Sequence, residues 1–153
     1  MGSGRHYICS KCGKEYYANW GVGFMFPMVY EETAADIKAG KYGKEWQDTF
    51  INGKNVVVDA ERHIYYCKMC GRWESAAGLS LYVPKNTDAS VNLAHPWNIN
   101  LDRRWKILKR YTHRCSKCGT IMHKATDTEL SKLSCPDCGG APKADYLGIV
   151  CWD

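Results

Sequence analysis

The alternation of apolar and polar positions changes period several times along the chain, and each change marks an expected element. Residues 20–30 form an aromatic-rich apolar run suited to a buried strand that bends or ends at Pro27. Residues 31–39 then read as a short helix with Glu31 and Glu32 in its first turn and Gly40 at its end, and residues 44–50 as a second helical piece. Asn52-Gly53 is a turn signal ahead of Val56-Val57-Val58, and residues 63–66 and 79–83 make two further strands. Residues 85–100 lose periodicity and collect Asn92, Pro96, Asn98 and Asn100, which marks a linker. After it, Asp102 is placed to cap a helix over residues 103–112. Leu101, Trp105, Leu108 and Thr112 would share its apolar side, and Arg103, Arg104, Lys106, Lys109 and Arg110 would make it basic. Short strands with a few short helices give an α+β class.

Eight of the nine cysteines repeat one motif four times: Cys9-Ser10-Lys11-Cys12-Gly13, Cys67-Lys68-Met69-Cys70-Gly71, Cys115-Ser116-Lys117-Cys118-Gly119 and Cys135-Pro136-Asp137-Cys138-Gly139. Two residues between cysteines let one tight turn aim both sulfurs at a single ion, and the following glycine frees the backbone to turn its amides toward them. Four such knuckles make two tetrahedral four-cysteine sites, with two zinc ions per chain as the expected cofactor. The last two knuckles are 16 residues apart, a compact zinc-ribbon spacing, so they are expected to pair. The first two then pair by elimination across 54 residues. The spacing also admits a crossed arrangement in which Cys9 and Cys12 join Cys135 and Cys138, because loop closure costs only about 0.6 kcal/mol per doubling of length. Sequential pairing divides the chain into a module at 1–84, a linker at 85–100 and a module at 101–153 made of the basic helix and a compact ribbon.

Composition narrows the function. With 45% hydrophobic and 24% charged residues the chain is neither disordered nor membrane-spanning, and its longest apolar run falls well short of the ~20 residues a bilayer demands. No apolar signal core follows Arg5, so a cytoplasmic location is expected, where nine cysteines point to metal before disulfides. The formal charge of +5 falls close to neutral once eight thiolates and two dications are counted. Bulk charge therefore gives no nucleic-acid signal. Only the stretch from Arg103 to Lys117, with seven Lys or Arg and no acid, offers a face for phosphate, interleaved with Trp105 and Tyr111.

Other residues suggest chemistry more weakly. His6, His63 and His113 precede knuckles at a distance suited to contacts with metal-bound sulfur or to the surface. His123, Asp127 and Glu129 between the last two knuckles would suit a hydrolytic zinc centre, but closed four-thiolate sites lack the open position such a centre needs, so no enzymatic role is expected. Cys151, in an apolar terminal strand, is expected to be a small buried hydrophobe.

Tyr7-Ile8-Cys9-Ser10-Lys11-Cys12-Gly13-Lys14-Glu15-Tyr16 resembles the first knuckle of a rubredoxin, and Cys135-Pro136-Asp137-Cys138-Gly139-Gly140-Ala141-Pro142-Lys143 resembles the second. The last pair of knuckles is also similar to the ribbon that ends rubrerythrins. The whole chain resembles bacterial double zinc-ribbon proteins with rubredoxin-like knuckles, which implies metal binding and no particular reaction. The departure lies after the third knuckle, where Ile121-Met122-His123 replaces the rubredoxin tyrosine, and sequential pairing puts the two rubredoxin-like halves in different sites. The expectation is therefore a structural-zinc protein acting by recognition, with a protein or nucleic-acid partner and no membrane. A rubredoxin-like iron electron carrier is the alternative.

Overall fold

The computed structural model describes residues 2–85, 93–143 and 148–152, so part of the expected linker, residues 86–92, lies outside the described residues. The class is α+β, with three small antiparallel sheets and three short helices among the described residues. The chain divides into two units, each assembled from separate segments. One comprises residues 1–23, 62–76 and 112–153, the other residues 24–61 and 77–111. Consecutive modules at 1–84 and 101–153 are not the division found.

The first unit is built from two hairpins that carry knuckles at their tips. β1 (Gly2–Ile8) and β2 (Glu15–Trp20) pair antiparallel around the first knuckle, and β9 (Gly148–Trp152) adds to the other side of β1, giving the order β2-β1-β9. β4 (Arg62–Tyr66) enters the second knuckle, β5 (Trp73–Ala77) leaves it, and β8 (His123–Lys124) pairs with β4, giving β5-β4-β8. A Gly21–Arg62 bridge and a bond from Ser75 Oγ to the Asn19 carbonyl (3.0 Å) join the two sheets. Tyr7, Tyr16, Ala18, Ile64, Leu130 and Leu133 bury one core with Cys9 and Cys135, and Tyr65 and Met122 bury another with Cys67 and Cys115. The aromatic rings in the first core keep their polar tips bonded. Tyr7 Oη donates to the Leu130 carbonyl, Tyr16 Oη to Leu133 O at 2.6 Å, and Trp73 Nε1 to Ser134 O at 2.8 Å. These bonds fix the segment that leads into the fourth knuckle.

The second unit packs α1 (Phe26–Lys38) and α2 (Lys44–Asn52) with the sheet β3-β6-β7, formed by β3 (Val57–Val58), β6 (Leu81–Pro84) and β7 (Trp105–Lys109). Its core includes Ile37, Val58, Leu81 and Ile99, all nearly or fully buried, with Trp105.

Two expected elements change type. The apolar run at 20–30 is the end of β2, a turn at Gly21 (φ +88°) and the first turn of α1, with Pro27 in that first turn. Proline has no backbone N–H, which costs nothing in the first turn of a helix, where such a group has no intrahelical acceptor, and Phe26, Tyr30, Thr33, Ala34 and Ile37 fall on one buried face at helical spacing. The basic helix is a strand instead. Residues 105–109 form β7, whose register places Trp105 opposite Pro84, Lys106 opposite Val83 and Ile107 opposite Tyr82. Asp102 Oδ1 accepts from the Arg104 amide at 2.9 Å, two residues on, which is an Asx turn and not a helix cap. Cross-strand pairs then outweigh a helix that would be marginal by itself at this length. The turn ahead of β3 also moves, because Gly53 has an ordinary φ of −78° and Asn55 takes the left-handed conformation at +56°. Cys151 is exposed on β9, an edge strand, and is not a buried hydrophobe.

Candidate metal centres

All four knuckles fold alike. In each, the amide of the first cysteine donates to the carbonyl five residues on: Cys9 to Lys14 (2.9 Å), Cys67 to Arg72, Cys115 to Thr120 and Cys135 to Gly140 (each 2.8 Å). The glycine amide donates back to the first cysteine's carbonyl at 2.8–3.0 Å, and the four glycines sit at φ +68° to +73°. An L side chain resists that conformation, so the glycine ending each Cys-x-x-Cys-Gly motif is required by the turn. The first cysteine of every knuckle is buried, while Cys12 and Cys118 are exposed and Cys70 and Cys138 half-buried.

The knuckles pair in a nested order. Cys9 and Cys12 meet Cys135 and Cys138, and Cys67 and Cys70 meet Cys115 and Cys118, with the sulfurs of each set within 4.8 Å of one another. This corrects the sequential pairing of Cys9, Cys12, Cys67 and Cys70 in one site and Cys115, Cys118, Cys135 and Cys138 in the other. The physical reason is strand pairing around the knuckles. Cys9 bridges Pro142, the Ser10 amide and hydroxyl both reach the Ala141 carbonyl (2.9 and 2.7 Å), the Lys143 amide reaches Ile8 O (2.8 Å), and Lys14 pairs with Asp137. In the inner site, β4 and β8 pair Tyr66 with His123, and Glu74 Oε1 accepts from the Ser116 hydroxyl at 2.5 Å.

The sulfur spacing fits a four-thiolate ion. A metal–sulfur bond of about 2.3 Å sets tetrahedron edges of about 3.8 Å. The observed separations are 3.5 Å for Cys9–Cys138, 3.9 Å for Cys12–Cys135, 3.5 Å for Cys67–Cys118, 3.6 Å for Cys70–Cys115 and 3.8 Å for Cys70–Cys118. Four soft thiolates in this geometry suit zinc and iron alike.

Within each site the thiols are electrostatically unequal. The Cys12 amide, followed by that of Lys11, holds the Cys9 thiol down to about 6. Thr120 Oγ1, 3.3 Å away, does most to hold Cys118 down to about 6. Against an amide hydrogen bond from Lys14, neighbouring Cys138 and Cys9 push Cys12 up to about 12. Against one from Arg72, burial and Cys115 push Cys70 up to about 11. At pH 7 without metal, deprotonation is thus easiest at Cys9 and Cys118 and hardest at Cys12 and Cys70. Metal loading at that pH is expected to release protons from both sites, and affinity is expected to fall as pH drops through about 6, where protons compete for the lowered thiolates as well. A zinc titration in weak buffer with a pH indicator checks this; loading without proton release would show that Cys12 and Cys70 are not ligands.

The remaining candidates fall around these centres. His6 stacks on Tyr17 and lies 3.0 Å from Glu15, His113 stacks on Tyr65, and His63 Nε2 lies 3.0 Å from Lys124 Nζ. His123 Nε2 lies 2.8 Å from a Glu129 oxygen, and Glu129 closes a capping box with Thr126 at the start of α3 (Asp127–Leu130). The Thr126 amide, ahead of His123, holds the Glu129 carboxyl below its usual range. Arg103, Arg104, Lys106, Lys109 and Arg110 lie in the second unit. Arg104 pairs with Asp102 and Lys109 with Glu45, while Arg103, Lys106 and Arg110 are exposed. Sequence reasoning missed Thr120 and Glu74. A hydroxyl directly after the knuckle glycine marked the first, whereas the second depends on the fold and has no local signal.

Comparison of the chain with protein-family models, with curated proteins and with solved structures finds no match. Among the described residues no helix is long and apolar enough to cross a membrane.

Proposed function

We propose that the two tetra-cysteine centres hold structural zinc and that the protein acts by recognition, as an adaptor or a nucleic-acid-associated binding module, with no reaction at the metals. The observation behind this reading is that each centre gathers four thiols, a complete tetrahedral donor set with no position left for substrate or water. Zinc would be held by Cys9, Cys12, Cys135 and Cys138 in the outer site and by Cys67, Cys70, Cys115 and Cys118 in the inner one. The ion supplies cross-linking there. The chain's own strands and aromatic residues orient the ligands. Elemental analysis of protein purified without added metal tests it: two zinc ions in a colourless protein support the reading.

A second reading has an observation in its favour. The two rubredoxin-like half-motifs, residues 7–16 and 135–143, meet in the outer site, so the separation that weighed against iron in the sequence is gone. One iron per chain and a red protein would favour an electron carrier at that site.

Nucleic acid as the partner rests on Arg103, Lys106 and Arg110, since Arg104 and Lys109 already have carboxylate partners. If these three contact phosphate, oligonucleotide affinity should fall steeply with salt, and Lys106→Ala with Arg110→Ala should reduce the log–log slope by about 0.7–0.9 per lost contact, equally for all sequences. Titration of labelled single- and double-stranded oligonucleotides at low salt checks this, and no binding leaves a protein partner.

A further inference from the structure

The exposed sulfurs of the two centres differ in one partner. Each centre exposes one sulfur, Cys12 in the outer set and Cys118 in the inner, and each is the second cysteine of its knuckle. In both knuckles the amide two residues further on, that of Lys14 or of Thr120, donates to this sulfur. The same position holds Lys14, Arg72, Thr120 and Gly140 across the four knuckles, so the third knuckle alone has a hydroxyl there. Thr120 Oγ1 lies 3.3 Å from Cys118 Sγ. The Lys14 side chain pairs instead with Asp137.

A metal-bound cysteine has given up its proton, so in the loaded inner centre the Thr120 hydroxyl is the donor and the Cys118 sulfur the acceptor. A thiolate that accepts a hydrogen bond has less electron density to offer an electrophile, and reactivity otherwise follows thiolate character and exposure. The first cysteine of every knuckle is buried, and Cys70 and Cys138 are half-buried. Cys12 is therefore the accessible sulfur that has no hydroxyl partner. Lys14 does not take the place of that partner, because Asp137 balances its charge.

We propose that the outer centre is a site of covalent modification by soft electrophiles, that Cys12 is the sulfur attacked, and that Thr120 shields the inner centre from the same reaction. The Cys12 sulfur gives a lone pair to the electrophilic carbon, an S–C bond forms, the bond from that carbon to its leaving group breaks, and the leaving group departs with the electron pair. No proton moves, since the metal has already displaced it. The neutral thioether is a poor ligand for zinc, so the outer ion is lost while the inner one stays. The proposal rests on the reading of both centres as closed four-thiolate zinc sites; metal analysis tests that reading and the labelling pattern tests this one, so the two fail separately.

The test uses the full zinc-loaded chain carrying Cys151→Ser, which removes the exposed thiol outside the centres. Iodoacetamide, whose leaving group is iodide, is added in small portions while a chromophoric chelator reports released zinc and mass spectrometry of peptides assigns each thioether. Alkylation several-fold faster at Cys12 than at Cys118, with release of one zinc ion, is the expected result. Thr120→Val keeps the shape of the side chain and removes the hydroxyl, so it should raise the Cys118 rate several-fold, and Thr120→Ser should keep that rate low. Lys14→Thr should slow Cys12, although loss of a nearby cation acts in the other direction. Both zinc ions are counted in every variant before labelling, so a disturbed fold is not mistaken for a reactive sulfur. Equal rates at Cys12 and Cys118 in the parent, first labelling at Cys70 or Cys138, or an unchanged Cys118 rate in Thr120→Val overturns the proposal.

Discussion

Replacing Cys9 and Cys135 together by serine is expected to remove one metal ion per chain, whereas replacing Cys9 and Cys67 together is expected to remove both. The first pair belongs to a single set of four sulfurs and the second pair to two different sets. A site that loses even one thiolate of its four loses its closed tetrahedron and with it most of its affinity, while an untouched site keeps all of its ligands. Sequential pairing predicts the opposite outcome in both variants. Native mass spectrometry of the two proteins after metal loading reads the stoichiometry directly. Because the effect is a whole ion, partial occupancy does not blur it.

The second large effect is expected on chelation. Structural zinc contributes folding free energy of about 10 kcal/mol or more per site in small systems, comparable to the whole stability of an ordinary domain. Both sites lie in the first unit, and their buried cysteines are members of its two cores. Stripping the metal removes the cross-links and leaves charged or protonated thiols inside those cores. The amide signals of residues 2–20, 62–76 and 112–143 should therefore collapse together. The second unit holds none of the eight knuckle cysteines and buries Ile37, Val58, Leu81 and Ile99 around its own helices and sheet, so its signals should stay dispersed. The reciprocal variant, Leu81→Ala, should destabilise the second unit by about 2–5 kcal/mol while both metals remain bound. Loss of all signals at once on chelation would show one cooperative body.

How much of this was legible in the sequence depends on how local each feature is. The knuckles were fully legible, because the Cys-x-x-Cys-Gly pattern specifies its own turn: sulfur spacing, amide direction and left-handed glycine all fall within six residues. The eight cysteines of the two sets followed from that pattern. Their partners did not, because pairing is decided by segments that meet across 123–129 residues in the outer site and 45–51 in the inner one, and loop-closure entropy rises too slowly with length to choose between a near and a far partner. The signal for the right pairing lay in the flanks. Tyr7 and Tyr16 on one side and Pro142 and Lys143 on the other are the residues that stitch the first knuckle to the fourth, and they are the same residues that carried the likeness to the two halves of a rubredoxin.

Secondary structure divided in the same way. α2 and β4 were legible from local pattern. In the run from Trp20 to Pro27, apolar content looked like a strand, but proline at a helix start and a buried face at helical spacing decided for α1. β7 was misread because its apolar residues also fit a helical stripe. Only the strand β6, more than twenty residues earlier, settles the choice by offering Val83 and Tyr82 as partners for Lys106 and Ile107. The same change of element took Lys109 away from the expected phosphate face and put it beside Glu45 and Trp46.

The central claim is that two nested, closed four-sulfur centres organise the first unit. Cadmium-substituted protein tests it most directly, because NMR couplings from each cadmium nucleus to cysteine β-protons identify that ion's own ligands. Two cadmium resonances are expected, one coupled to Cys9, Cys12, Cys135 and Cys138 and the other to Cys67, Cys70, Cys115 and Cys118. A single ion coupled to both Cys9 and Cys67, or a centre with fewer than four cysteine partners, would contradict the account.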